Sequence, residues 1–286
     1  MIISTFICAL SSCVDVLPIP SVDEGMKLFV VCEMQMGENV NAKISYTGNA
    51  NGTQPQMLMM PDTFNFSIAE GEKDFGVPFR YNARDTSFNI DKNNLSIKVG
   101  EKYKFRGVGS NTNTSEPYLT VPEALQVDSL TIKNVKSGIV SGMHFTEVSC
   151  EISFKKPSTT KSYFYLVPKN EHGMIWEVSA FDQDHNAFKK LKNRDGFLVD
   201  YSRLESDVIK LTLTLSEPLD YKYLDFNVFN VTESFYRYNH FISNTYTDPG
   251  QSSENQAIAA FNIRTPKAYG SFSALTNKKI IKKIKD

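Results

Sequence analysis

The sequence predicts an all-β fold, arranged as two β-sandwiches in tandem with one short helix in the second. Three observations predict it. Apolar and polar residues alternate with a period of two along most of the chain after Met26. Turn-rich segments such as Gly48-Asn49-Ala50-Asn51-Gly52 and Lys92-Asn93-Asn94 separate the alternating runs. Only one segment carries a convincing helical period. Such alternation marks antiparallel sheets with one wet face, and short strands between turn signals suggest sandwiches.

In chain order, residues 2–10 come first, a mostly apolar run, Ile-Ile-Ser-Thr-Phe-Ile-Cys-Ala-Leu. It is too short to span a bilayer but suits the apolar region of a signal peptide. Leu10-Ser11-Ser12-Cys13 follows and resembles the lipobox of bacterial lipoproteins. The chemistry needs these residue types: a thiol takes the diacylglycerol group, and small residues before it fit the lipoprotein signal peptidase. The expectation is a signal peptide over 1–12, a covalent lipid on Cys13, and a polar, proline-bearing tether over 13–23. No Lys or Arg precedes the apolar run, which points to a start codon assigned too late. The alternative is an N-terminal strand with an incidental cysteine.

The body follows. Phe64, Phe66 and Ile68 alternate with Thr63, Asn65 and Ser67. Leu95, Ile97 and Val99 form a second set, and Tyr103 and Phe105 alternate with Lys102, Lys104 and Arg106. Ile209, Leu211, Leu213 and Leu215 repeat the pattern late in the chain. Cys32 shares a strand face with Leu28, Val30 and Met34, and Cys150 with Val148, Ile152 and Phe154. Both cysteines therefore read as reduced core thiols. The helix is expected over 232–244, with Thr232 as N-cap and Phe235, Tyr238 and Ile242 as its apolar face. A weaker helical or loop candidate lies around His185 to Leu191. The polar, proline-marked stretch from Ser110 to Val127 suggests a boundary, giving one domain over 24–122 and another over 123–275. The five lysines among residues 278–285 suggest that 276–286 is a solvated basic tail.

Charge is balanced, 31 basic residues against 32 acidic, so no overall field would gather nucleic acid. Catalytic and metal motifs fail their context. Asp182, Asp184 and Asn186 open like a calcium loop, but Ala187 and Asn193 replace the required glycine and glutamate. Gly107-Val108-Gly109 is not followed by a helix, so a dinucleotide site is not expected. The reading is a protein that is not an enzyme and needs no metal or cofactor beyond its lipid. Trp176, Tyr236, Tyr238 and Tyr246 are the candidate ligand or partner contacts, together with the polar loop from Tyr246 to Glu254.

The order of elements resembles the Bacteroidetes lipoproteins of the domain-of-unknown-function family 4249. The residues that carry this are the lipobox; the opening strand Lys27-Leu28-Phe29-Val30-Val31; Gly100-Glu101-Lys102-Tyr103; Val121-Pro122-Glu123; Asp128-Ser129-Leu130; Ser162-Tyr163-Phe164-Tyr165-Leu166; Ser234-Phe235-Tyr236-Arg237-Tyr238; and Phe261-Asn262-Ile263 before Tyr269-Gly270-Ser271-Phe272. Two features depart from the family: the acidic export signal is reduced to Asp15, and the late glycine pair to Gly270. The resemblance implies outer-membrane residence and association with a TonB-dependent receptor, and no known chemistry. The sandwiches are expected to be immunoglobulin-like or carboxypeptidase-regulatory-like. The alternative function is a structural, adhesive or glycan-binding surface lipoprotein.

Overall fold

A computed structural model describes residues 28–46, 66–73, 75–84, 87–107, 117–155, 162–181, 187–192, 194–216, 222–247, 260–265 and 268–284. Cys13, the leader and tether, the calcium-like Asp182, Asp184 and Asn186, and the loop beyond residue 247 lie outside the described residues. The described chain is mostly β. The strands are β1 (Leu28–Gln35), β2 (Val40–Tyr46), β3 (Ser67–Glu70), β4 (Val77–Pro78), β5 (Arg80–Asn82), β6 (Ser87–Ile90), β7 (Lys102–Arg106), β8 (Tyr118–Thr120) and β9 (Val127–Val140). They continue as β10 (Met143–Phe154), β11 (Tyr163–Asn170), β12 (Glu177–Phe181), β13 (Phe188–Lys190), β14 (Phe197–Asp200), β15 (Val208–Leu215) and β16 (Tyr223–Val231). After helix α1 (Glu233–Thr247) come β17 (Ile263–Thr265) and β18 (Ala268–Lys283).

One ten-stranded sheet runs β13-β14-β11-β16-β18-β1-β2-β6-β5, with β17 also on β18. Two four-stranded sheets, β4-β3-β7-β8 and β12-β15-β10-β9, complete the set. The alternation that predicts β1 is realised: Leu28, Val30, Cys32 and Met34 are buried, with half-buried residues between them. Cys32 and Cys150 are both buried free thiols, in different cores. The β9–β10 hairpin turns through Ser141 (φ 52°) and Gly142 (φ 81°), two successive left-handed residues that match the twist of a two-residue hairpin turn.

Two cores lie against the long sheet. The first joins Val30, Cys32 and Met34 of β1 to Ile68, Tyr103 and Phe105 of the β4-β3-β7-β8 sheet. The second joins Val148, Cys150 and Ile152 of β10 to Phe164, Leu166, Phe226 and Val228. The strand β18 belongs to both. Its residues Ala268, Phe272 and Ala274 lie in the first core, and Ile280 packs against the second. All four are even-numbered, so they share one face of the strand. The first half pairs in parallel with β1, Leu28 opposite Ala268 and Gln35 opposite Leu275. The second half pairs antiparallel with β16, Val231 opposite Leu275 and Tyr223 opposite Lys283.

This arrangement corrects two expectations. The stretch around residue 122 does separate the two cores, but strands from both sides of it share one sheet, so the division into 24–122 and 123–275 does not describe the architecture. Residues 276–283 form the second half of a central strand rather than a solvated tail. Its lysines are compatible with a strand because they lie where β18 is exposed, and Lys279 Nζ sits 2.6 Å from Asp225 Oδ2 across the pairing with β16.

Gly270 makes the parallel pairing possible. A Cβ there would fall 1.8 Å from the Val30 carbonyl oxygen, so only a residue without a side chain lets β18 approach β1 so closely.

Helix α1 forms where a helix is predicted but runs three residues further, to Thr247. It packs on the opposite face of the long sheet, where Phe235 meets Tyr165, Val167, Leu198, Val231 and Leu275. The fully buried stripe is Phe235, Asn239 and Ser243 rather than Phe235, Tyr238 and Ile242. The polar members are satisfied: Asn239 Nδ2 donates to the Phe235 carbonyl, and Ser243 Oγ to that of Lys190. Within the weaker helical or loop candidate around His185 to Leu191, residues 188–190 form the short strand β13, and His185 and Asn186 lie outside the described residues.

Candidate functional site at the junction of the two cores

A cleft of about 740 Å³ opens where the two cores meet. One wall is a continuous stretch of chain, Tyr118 to Gln126, which leaves β8 and crosses to the second core. The opposite wall is the start of β11 (Ser162, Tyr163), the end of β16 (Asn230, Val231) and the first turn of α1 (Thr232 to Ser234). Its size lies in the range of small-ligand sites, which favour such junctions between packed units.

The walls are fixed by hydrogen bonds that converge on the crossing chain. Thr276 Oγ1 donates to the carbonyls of Pro122 and Glu123, each at 3.1 Å. Asn230 Nδ2 donates to the Glu123 carbonyl at 2.8 Å. The Lys155 amide donates to the Gln126 carbonyl at 3.0 Å. On the other wall, the edge of β18 between its pairing with β17 and its pairing with β16 is satisfied by side chains. Asn262 accepts from the Phe272 amide and donates to its carbonyl, both at 2.7 Å. Ser234 Oγ donates to the same carbonyl at 2.8 Å, and Thr232 Oγ1 accepts from the Ala274 amide at 3.1 Å. Thr232 thus stands at the helix entrance as predicted, with its carbonyl accepting from the Tyr236 amide. Its hydroxyl ties the helix to β18, because the buried strand edge there needs an acceptor.

An aromatic column leads from the cleft along α1. Tyr163 stacks on Tyr236 with ring centroids 4.4 Å apart, and Tyr236 on His240 at 5.7 Å. Burial, and then the nearby Asp200 carboxylate, push the Tyr236 phenol up to about 12. Burial, followed by Glu233 and Asp200, also raises Tyr163. Burial lowers His240, and Lys189 and Arg203 add to the effect. All three rings are therefore uncharged at neutral pH, and the column is an apolar platform with polar tips.

The structure separates the residues predicted to form one contact surface. Tyr236 lies on the cleft side of α1. Tyr238 lies on another flank, against Phe29 and Phe261 at 6.3 Å each. Trp176 is 1% exposed and packs in the second core, where it also borders a smaller cavity of about 380 Å³ with Arg194 and Lys190. It is not a surface ring. Tyr246 falls in the last turn of α1, with its side chain outside the described residues. Sequence reasoning missed Tyr118, Ser162 and Asn230 as lining residues. The polar, proline-marked stretch that signals a boundary was the one local clue, because that stretch forms a wall.

Among the described residues, no group of three or more His, Cys, Asp or Glu side chains is placed to hold a metal ion. None of their helices is long and apolar enough to cross a membrane. No protein-family model and no curated protein matches the chain.

Proposed function

We propose that this protein is a non-catalytic, lipid-anchored outer-membrane protein that acts by binding, as an accessory partner of a TonB-dependent receptor. The observation that carries the binding role is the junction cleft, whose walls come from both cores and are held by a dense set of hydrogen bonds. The Leu10-to-Cys13 lipobox supports the anchor, and the resemblance to the family-4249 lipoproteins supports the receptor. A lipid on Cys13 would confine the protein to the plane of the membrane. That raises its effective concentration beside other membrane proteins, so a modest interface suffices. We read each core and its flanking sheets as an immunoglobulin-like or carboxypeptidase-regulatory-like sandwich, the two fused through β18.

The test is photo-crosslinking in intact cells from a reactive residue placed at Arg237, an exposed position on α1. The expected result is an adduct with an outer-membrane barrel, lost together with fatty-acid labelling in Cys13→Ala. A wild-type protein that labels with lipid yet gives no adduct with a receptor would refute the partnership. Unchanged labelling in Cys13→Ala would refute the anchor.

A further inference from the structure

We infer that the junction cleft takes an extended polypeptide segment, which adds as a strand to the open edge of β8. The strand β8 is the last in its sheet and, among the described residues, pairs only with β7. Its register sets Lys102 opposite Thr120, Tyr103 opposite Leu119 and Lys104 opposite Tyr118. The hydrogen bonds around it fix which backbone groups face β7. The Phe105 amide donates to the Pro117 carbonyl, the Val121 amide donates to the Glu101 carbonyl, and the Gly100 amide donates to the Val121 carbonyl. Residues 117, 119 and 121 therefore turn their backbone groups toward β7. In an antiparallel strand these directions alternate, so the N–H and C=O groups of Tyr118 and Thr120 point the other way. Both residues line the cleft.

An open strand edge in a concave site is the feature that strand addition uses, with main-chain hydrogen bonds supplying the affinity. The other outer strands, β4, β5, β9, β12, β13 and β17, contribute no residue to this cleft. Beside β8 the chain continues along the same wall to Gln126, which extends the track. Tyr118 is 48% exposed, with Lys104 Nζ 5.0 Å from its ring centroid. Across the cleft, Tyr163 and Asn230 give an added strand a second surface to lie against. Side chains on an added strand would alternate as those of β8 do. Leu119 is buried in the first core while Tyr118 and Thr120 are exposed. The peptide residue opposite Leu119 thus turns inward and is best apolar, and its neighbours face solvent and are weakly selected. The ligand class is an extended peptide with an apolar residue at that position and unsubstituted amides on either side.

This names the ligand class of the cleft on which the proposed binding role rests. It is tested without membrane or receptor, so its failure and that of the crosslinking experiment are distinguishable. A random heptapeptide library is panned over the immobilised full-length protein, and fluorescein-labelled peptides from the retained set are measured by fluorescence polarisation. Peptides are expected to be retained, and methylation of alternate backbone amides is expected to weaken them by about tenfold or more, since each lost backbone hydrogen bond is left unsatisfied. Thr120→Pro removes the outward N–H and is tolerable at a strand edge; it should weaken binding by a similar factor. Thr120→Val keeps the outward N–H and should recover the binding that Thr120→Pro loses. Failure of the wild-type protein to retain any peptide would overturn the inference. So would methylated and unmethylated peptides that bind alike, or peptides that bind Thr120→Val and Thr120→Pro equally well.

Discussion

Replacing Gly270 by alanine tests the shared strand at its tightest point. The new Cβ would lie 1.8 Å from the Val30 carbonyl oxygen and 2.7 Å from its carbonyl carbon. An ordinary carbon–oxygen contact is about 3.3 Å or longer, so one strand must retreat by roughly 1.5 Å. Its nearest neighbours are backbone atoms of Val30 in a central strand, which cannot swing aside as a side-chain tip could. The retreat would stretch the ladder hydrogen bonds around Val30 and open the first core beside Phe272. Gly270 also has φ +156°, which alanine adopts with strain. The combined cost is about 3 kcal/mol, at the upper end for overpacking. For a chain of this size that corresponds to a fall in Tm of about 5–10 °C. The control is Gly142→Ala, at φ +81° but with nothing within 4 Å of the new Cβ. It carries only the backbone penalty, about 1 kcal/mol. Differential scanning calorimetry of both variants measures the difference. If Gly270→Ala melts within 2 °C of Gly142→Ala, with about 2 kcal/mol expected between them, then β18 does not lie beside β1 in this register and the shared-strand architecture is wrong.

Other predictions follow from single contacts. Arg194 donates to Glu33 Oε1 at 2.9 Å and lies 5.1 Å from the Phe235 ring centroid, so Arg194→Ala should cost about 1–2 kcal/mol and speed hydrogen exchange in α1. His240 is lowered in the fold, so the unfolded chain binds more protons near its ordinary value of 6.5. Stability should therefore be unpenalised above that value and fall as pH drops below it, and His240→Gln should flatten this limb in a Tm-versus-pH series. Tyr165 and Tyr236 are held up to about 12, both chiefly by burial, so absorbance titration of the folded protein should show them ionising above the normal range near 10, with stability lost as pH rises toward 12. Burial raises both Cys32 and Cys150, the latter to about 12, so neither should react with a thiol reagent until the chain is unfolded; rapid labelling of either of these two cysteines in the native protein, located by peptide mapping, would contradict their placement.

Much of the sheet was legible because strand alternation is a local signal. Cys32 and Cys150 fall on the faces their neighbours predict, and Phe235 faces the sheet as the helix period requires. The misreadings come from long-range context. The lysines of 278–283 look like a tail because nothing near them in sequence reports that Tyr223 to Val231 pairs with them. Asn239 and Ser243 look unsuited to a buried helix face until Phe235 and Lys190 supply their hydrogen-bond partners. Trp176 looks like a binding residue because tryptophan is common at surfaces that bind, yet a ring of that size also fills a core, and here it does. The cleft was least legible. Its walls come from residues near 120, 162, 230 and 262, none of which carries a catalytic or metal-binding motif, and only the topology brings them together.

The shared strand also explains why the cleft lies at the junction. One edge of β18 carries β17 as far as Gly270 and β16 from Leu275 onward, while β1 lies along the other edge. A strand that changes neighbour on one edge leaves backbone groups there with no ladder to join, and buried groups of this kind need partners. The chain supplies them from outside the sheet: Asn262, Ser234 and Thr232 for residues 272–274 of β18, while Thr276 reaches out to hold the crossing chain. The helix start and the crossing chain are thus drawn to the same spot from opposite sides, and the space between them is the cleft. Because one strand holds both walls, a change at the switch point should alter both together. Thr276→Val, which keeps the side-chain shape and removes the donated hydrogen bonds, would free the Pro122 carbonyl and leave Asn230 to hold that of Glu123. It is expected to cost about 1 kcal/mol and to raise hydrogen exchange over residues 118–126 while leaving β3 and β10 protected. Faster exchange across the whole first core instead would mean that the crossing chain is an integral part of that core rather than a wall pinned onto it.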